Sequence, residues 1–97
     1  MKTRDYKEHL LESLKDPKER VAYLNAALKD KDSRIFLVAL RDVIDSCGGI
    51  SKLAKESSLD RESIYKTLSL KENPHFANLL AILHALDFEV SIHSAGD

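Results

Sequence analysis

The segment 50–69 constrains the fold of this chain more than any other, because its spacing predicts two short helices joined by a tight turn. In the first helix, Leu53 and Ala54 fall on one side, and polar residues fall on the other. Ser57, Ser58 and Leu59 then interrupt the helical pattern. Asp60 follows them and is placed to accept hydrogen bonds from the first free N–H groups of a second helix. The second helix is predicted over 61–70.

The second helix has a narrow apolar stripe, since Ile64 and Leu68 are spaced four residues apart. Its outward-facing residues are Arg61, Glu62, Tyr65 and Lys66. Ala54 is small enough for a close helix crossing, and Ile64, ten residues later, is placed to pack against it. This spacing is typical of a helix-turn-helix unit, which places its second helix in the major groove of DNA.

The turn between the two helices departs from the common pattern. Many helix-turn-helix units have glycine four residues after the small Ala, where the backbone takes positive φ, and this chain has Ser58 there. Serine is expected to adopt that conformation at a cost of roughly 1 kcal/mol. The residues leave one alternative open, namely two ordinary helices whose exposed polar face is only solvated.

The length and composition predict one domain, with or without an N-terminal extension. The chain has 97 residues, of which 43% are hydrophobic and 32% charged, and no apolar run approaches the ~18 residues of a membrane span. The N-terminus is polar where a signal peptide would be apolar, so a cytoplasmic location is expected. Cys47 lies on an apolar helix stripe and is interpreted as a core residue.

The formal net charge of −1 argues against a protein that coats nucleic acid non-specifically. Any DNA binding must therefore be local. The cations of the segment 50–78 are Lys52, Lys55, Arg61, Lys66 and Lys71, and its anions are Glu56, Asp60, Glu62 and Glu72. This balance predicts a small positive face.

The remaining segments read as helices around this unit. A first helix is predicted over 5–15, and Asp16 and Pro17 then cap and begin a second helix. A third helix, capped by Asp32 or Ser33, is expected to be the most buried. It ends at Gly48-Gly49, since glycine takes the left-handed C-cap conformation.

After a loop at 71–74, a fifth helix is predicted with an apolar stripe consisting of Phe76, Leu79, Leu80, Leu83 and Leu86. Residues 88–92 then alternate apolar and polar, which predicts a short strand. The fold class is therefore all-α, with five to six helices in a phage-repressor-like helix-turn-helix arrangement and one C-terminal strand. Residues 1–32 are interpreted as an N-terminal helical extension and 33–97 as the DNA-binding domain.

The sequence indicates neither an enzyme nor a metal or cofactor site. The four histidines are on four different predicted elements, and none is paired at i, i+4 with a second His or a Cys. A glycine-rich phosphate loop is missing, and the carboxylates lie in charged stretches that are expected to face water.

Taken together, the motifs resemble those of the addiction module antidote proteins, small helix-turn-helix antitoxins of bacterial type II toxin–antitoxin pairs. The motifs that carry the resemblance are Gly48-Gly49-Ile50, Leu53-Ala54-Lys55, the run from Leu59 to Lys66, Asn73-Pro74 and Leu86-Asp87-Phe88. The chain departs from the family pattern where such sequences usually have glycine, at Glu72 and at Asp87. Asp tolerates left-handed φ better than Glu.

The resemblance implies an antitoxin that neutralises a small RelE/ParE-like ribonuclease toxin and represses its own operon. A stand-alone phage-repressor-like regulator without a toxin is the alternative. In either case Arg61 and Glu62 are expected to meet base edges of operator DNA, with Tyr65 and Lys66 one turn further on. Lys52 and Lys71 are expected to contact phosphates.

Two protein interfaces are also expected. A lone strand leaves backbone groups without partners, so a homodimer is predicted through antiparallel pairing of the C-terminal strands. Its interface residues are Ile82, Ala85, Phe88, Val90 and Ile92. The toxin is expected on the N-terminal helices, through apolar side chains such as Tyr6, Leu10, Leu14 and Tyr23, or else on the acidic residues Asp87, Glu89 and Asp97.

Overall fold

The computed structural model describes residues 3–71 and 73–96, and this part of the chain folds into six helices with no strand. The helices are α1 (Thr3–Ser13), α2 (Pro17–Leu28), α3 (Arg34–Ser46), α4 (Ile50–Glu56), α5 (Arg61–Thr67) and α6 (Phe76–Ala85). The all-α prediction is confirmed. No helix in these residues is long and apolar enough to cross a lipid bilayer.

The start of α2 is formed as its sequence predicts. Asp16 has extended backbone, its carboxylate accepts the N–H of Lys18 at 2.9 Å, and Pro17 occupies the first helical position. α2 then packs along α3, which α1 also contacts.

α3 is the centre of the core, as predicted. Leu40, Val43 and Ile44 are at most 1% exposed, and α2, α4, α5 and α6 each add at least one buried side chain to the same cluster. Leu14, which directly follows α1, and Leu24 and Ala27 of α2 also belong to it. Residues 3–32 therefore share one hydrophobic core with the rest of the chain.

Gly48 and Gly49 end α3, with φ of 110° and 90°. The N–H of Gly49 donates to the carbonyl of Ile44 at 2.9 Å, and the N–H of Gly48 donates to Asp45 at 3.4 Å. These two hydrogen bonds form a Schellman motif, which needs a left-handed residue after the helix. It turns the chain directly into α4.

The structure corrects several expectations for the C-terminal third. Phe76 is 70% exposed and Ile82 is fully buried, so the first lies outside the core and the second inside it. Residues 88–92 form no strand within the single chain, because a ladder needs a second extended segment and the described residues provide none. Phe88 instead packs against the core, while Val90 and Ile92 are exposed.

Candidate nucleic-acid interface

α4 and α5 are joined by a turn that serine side-chain chemistry closes. The Ser57 hydroxyl accepts the N–H of Leu59 at 3.2 Å, which mimics a backbone turn. Among the described non-glycine residues only Asp87 has positive φ, so the left-handed conformation expected for Ser58 is wrong. The turn does not require glycine because the Ser57 side chain supplies its hydrogen bond.

Asp60 caps α5, as predicted. It has extended backbone, and its carboxylate accepts the N–H of Ser63 at 2.7 Å. This backbone hydrogen bond lowers the pKa of the Asp60 carboxyl below its ordinary value, because the bond favours the charged form. The helix that follows ends at Thr67, three residues before the predicted end.

The inner face of α5 anchors it in the core. Ile64 is fully buried, and Thr67 and Leu68 are 2% and 9% exposed. The Thr67 hydroxyl donates to the carbonyl of Ser63 at 2.8 Å, so its polar group is satisfied despite burial. This anchoring fixes the orientation of the outer face.

The outer face of α5 has the four residues that the sequence assigns to it. Arg61, Glu62, Tyr65 and Lys66 are all exposed. An open groove runs between α4 and the start of α5, and its lining consists of Ser51, Ala54, Lys55, Asp60, Arg61 and Glu62. The predicted readers are therefore on one surface, and a concave strip lies beside them.

The charges on this surface are mostly available to a ligand. Within the described residues, Lys55, Arg61 and Lys66 form no ion pair, whereas Lys52 Nζ lies 4.0 Å from Glu56 Oε1. Lys52 and Lys71 are both exposed. The surface can offer guanidinium and ammonium donors to an anionic partner.

Arg41 was not predicted as a site residue, because it belongs to α3 and not to the helix pair. Its guanidinium carbon lies 5.6 Å from the centre of the Tyr65 ring, a cation–π distance. Its Nε also donates to Asp45 at 3.3 Å. The helical spacing of Arg34, Val38 and Arg41, all exposed, would have placed Arg41 on the outer side of α3.

The residues proposed for protein interfaces differ widely in solvent exposure. Of the dimer set, Ile82 is in the core, Ala85 and Phe88 are half-buried, and Val90 and Ile92 are 52% and 96% exposed. The N-terminal set is also divided, since Tyr6 is 62% exposed whereas Leu14 is 1% exposed. Leu10 and Tyr23 are partly buried against the core.

Two of the acidic residues proposed for toxin binding lie on the described surface. Asp87 and Glu89 are exposed, and the prediction for Asp97 lies outside the described residues, as does Glu72. Within residues 3–71 and 73–96, no three His, Cys, Asp or Glu side chains come together in a way that would hold a metal ion.

Comparison with known proteins gives a family match over nearly the whole chain. Residues 5–94 match the family described as "Probable addiction module antidote protein". The chain is also similar to an uncharacterized protein of Haemophilus influenzae, with 30% identity over 95 residues, which cover 98% of this chain and 93% of that protein. No solved structure matches the chain.

Proposed function

This chain belongs to the family of probable addiction module antidote proteins, and we propose that it is the antitoxin of a type II toxin–antitoxin module. In this proposal it acts in the cytoplasm, binds operator DNA as a transcriptional repressor and neutralises a small ribonuclease-type toxin. The family match supports the antitoxin role. The observation that carries DNA binding is the exposed start of α5 beside the α4 groove.

Arg61 is the proposed base reader. It is exposed at the first position of α5, it lines the groove, and it makes no described ion pair within the protein. An arginine can hold guanine through two hydrogen bonds in the major groove, worth about 1–3 kcal/mol of discrimination. Glu62 is adjacent to it, and Tyr65 and Lys66 lie one turn further along the same face.

Phosphate contacts are assigned to Lys52 and Lys71. Both are exposed and precede or follow the reading helix in the chain. Lysine contacts phosphate as a point charge, so these residues position the protein and carry no sequence information. With a net charge of −1, binding depends on this local arrangement.

Dimerisation through the C-terminal segment places two reading helices on one operator. Residues 89–96 make no backbone–backbone hydrogen bond within the described chain, and Val90 and Ile92 are exposed. Pairing with the same segment of a second copy would satisfy these backbone groups and cover both side chains. Half-sites about 34–36 Å apart are then expected. Ile82 has no part in this interface, because it is buried in the single chain.

The DNA-binding part is tested by selecting duplexes from a random pool with the wild-type protein and then titrating variants. Arg61→Ala should weaken the selected duplex by about ten-fold or more, since a bidentate contact is lost. Lys18→Ala, on the exposed start of α2, is the matched control and should change little. An unchanged affinity for Arg61→Ala would show that this helix does not read the bases.

The dimer is tested by sedimentation of the wild-type protein at tens of micromolar. A dimer is expected, and Val90→Asp should convert it to a folded monomer because a charge cannot be buried unpaired in that contact. A wild-type monomer at this concentration would exclude dimerisation through the tail.

The toxin-binding part is tested by co-expressing the chain with the product of a short basic neighbouring reading frame. Deleting residues 1–32 would remove Leu14, Leu24 and Ala27 from the core, so exposed positions are the better variants. Tyr6→Ala should lose rescue if α1 holds the toxin, and Glu89→Lys should lose it if the acidic tail does. Operator binding without any rescue by the wild-type chain would favour a stand-alone regulator.

A further inference from the structure

We propose that Arg41 of α3 is a further DNA-binding residue, which holds a backbone phosphate beside the bases that α5 reads. The inference rests on the proposed DNA-binding function. It extends the interface from the helix pair to a third helix and assigns a phosphate contact outside the helix-turn-helix segment.

Arg41 lies at the edge of the reading helix. The Arg41 guanidinium carbon is 5.6 Å from the centre of the Tyr65 ring, and Tyr65 is on the outer face of α5 with 47% of its surface exposed. Arg41 is itself exposed. A helix in the major groove is flanked by phosphates of both strands, so a cation at the edge of the reading helix meets the backbone rather than a base.

Arg41 still has hydrogen-bond donors to offer at its two terminal nitrogens. Its Nε is bonded to Asp45, and neither terminal nitrogen makes a hydrogen bond with the described residues. Arg34 and Arg20 differ, because each also commits a terminal nitrogen to the protein, to the Asp32 carboxylate and to the Lys15 carbonyl. Arg41 is therefore held by Asp45 at Nε and by the Tyr65 ring on one face of the guanidinium plane. The N–H groups of its two terminal nitrogens remain for a bidentate phosphate contact.

Arg41 belongs to a cluster of charged side chains on α1 and α3. Asp45 is shared, since its carboxylate accepts from Arg41 Nε and from Lys7 Nζ, each at 3.3 Å. Lys7 also donates to Asp42. The two cations and the two carboxylates sum to zero, so this cluster offers the directed N–H donors of Arg41 and not an excess of positive charge. The ordering of the guanidinium also lowers the entropic cost of binding.

The test uses the full chain and two duplexes, one selected by the wild-type protein and one of scrambled sequence, each titrated over a range of salt concentrations. Arg41→Gln should weaken both duplexes by a similar factor, about ten-fold at low salt, and should lower the slope of log K against log salt by about 0.9. Arg41→Lys should retain the wild-type slope, because it retains the charge. Arg34→Gln is the control, with the same chemistry on the same helix, and its slope should be unchanged.

Two results would overturn the inference. One is unchanged affinity for Arg41→Gln. The other is a loss confined to the selected duplex with an unchanged salt slope, which would mean that Arg41 acts only by positioning Tyr65. If the wild-type protein selects no duplex, or Arg61→Ala has no effect, the proposed DNA-binding function is itself wrong, whatever Arg41 does. If wild-type binding and the Arg61→Ala loss are present, a negative Arg41 result rejects this inference alone.

A folding control keeps the outcome decisive. Thermal unfolding of each variant is recorded in the titration buffer. Should Arg41→Gln be unfolded there, Arg41→Met replaces it as the test, since it keeps an aliphatic stem and removes only the charged group. Arg41→Met should weaken both duplexes and lower the salt slope as Arg41→Gln does, and unchanged binding would reject the phosphate contact.

Discussion

The backbone N–H of Phe88 donates to the carbonyl of Leu83 at 2.9 Å, and this bond closes the C-terminus of α6. Between them Asp87 has φ of 67° and donates its own N–H to His84 at 3.0 Å. The two bonds form a Schellman motif with aspartate in the position that glycine usually occupies. The motif folds Phe88 back towards the core.

The left-handed conformation of Asp87 makes it sensitive to side-chain type. Asp87→Ala should lower the free energy of unfolding by about 1 kcal/mol, because alanine in this region is strained and lacks the local polar compensation of Asp. Asp87→Gly should stay within about 0.5 kcal/mol of wild type, since relief of strain offsets the flexibility of glycine. Urea unfolding measures both. Equal destabilisation by the two variants would mean that φ is not the cause.

A control for this comparison lies two residues on. Glu89 is exposed and does not have positive φ. Glu89→Ala is therefore expected within about 0.5 kcal/mol of wild type, the usual range for such surface positions.

The α4–α5 turn provides a second prediction, which separates the roles of two adjacent serines. Ser57→Ala removes the acceptor of the Leu59 N–H and should destabilise the protein by roughly 0.5–1.5 kcal/mol. Ser58→Gly should not stabilise it, because Ser58 does not have positive φ. Chemical denaturation of the two variants checks this. A gain in stability for Ser58→Gly would contradict this and favour the left-handed conformation of Ser58 that the sequence suggests.

Much of the fold was predictable because local signals and tertiary packing agree. The caps at Asp16 and Asp60 and the stop at Gly48-Gly49 follow from side-chain chemistry within one turn of the helix. Ile64 likewise falls in the core because its spacing from Ala54 fixes the crossing of α4 and α5. Such short-range relations survive any arrangement of the remaining helices.

The wrong or missing predictions concern tertiary contacts, which a pattern along the sequence does not contain. Phe76 reads as a core residue by its spacing, yet it is the first residue of α6 and is left exposed at the helix end. Arg41 reads as an ordinary polar position on α3, and only the fold brings Tyr65 over its guanidinium. Alternation at 88–92 predicts a strand but does not supply the partner that a strand needs.

Two isoleucines separate stability from the proposed dimer. Ile82 is fully buried and Ile92 is 96% exposed. Ile82→Ala should therefore lower the free energy of unfolding by roughly 2–5 kcal/mol, through lost burial and a cavity. Ile92→Ala should leave unfolding of the dilute monomer unchanged within about 0.5 kcal/mol and weaken self-association.

The two measurements are unfolding at low protein concentration and sedimentation at high concentration. A strong loss of monomer stability in Ile92→Ala would place this side chain in contact with its own domain. Unchanged self-association in the same variant would remove Ile92 from the dimer interface.

The contact between α1, α2 and α3 makes stability depend on alkaline pH. Burial and the hydrogen bond from its hydroxyl to Asp42, 2.7 Å long, raise the pKa of Tyr23 above its ordinary value of 10.0. The hydrogen bond to Asp42 likewise raises the pKa of Lys7 above 10.5. Above these ordinary values the unfolded chain releases protons that the folded chain still holds, so folding is favoured less as pH rises.

The free energy of unfolding should therefore be steady up to about pH 9 and fall as pH rises beyond 10, with the contribution of both groups present below that range. Tyr23→Phe removes one of the two groups and should make the fall shallower. Tyr65→Phe is the control, since its hydroxyl makes no described hydrogen bond, and it should keep the wild-type slope. Urea unfolding at closely spaced alkaline pH values measures these slopes. The same slope in wild type and Tyr23→Phe would show that this hydroxyl does not link α2 to the alkaline transition.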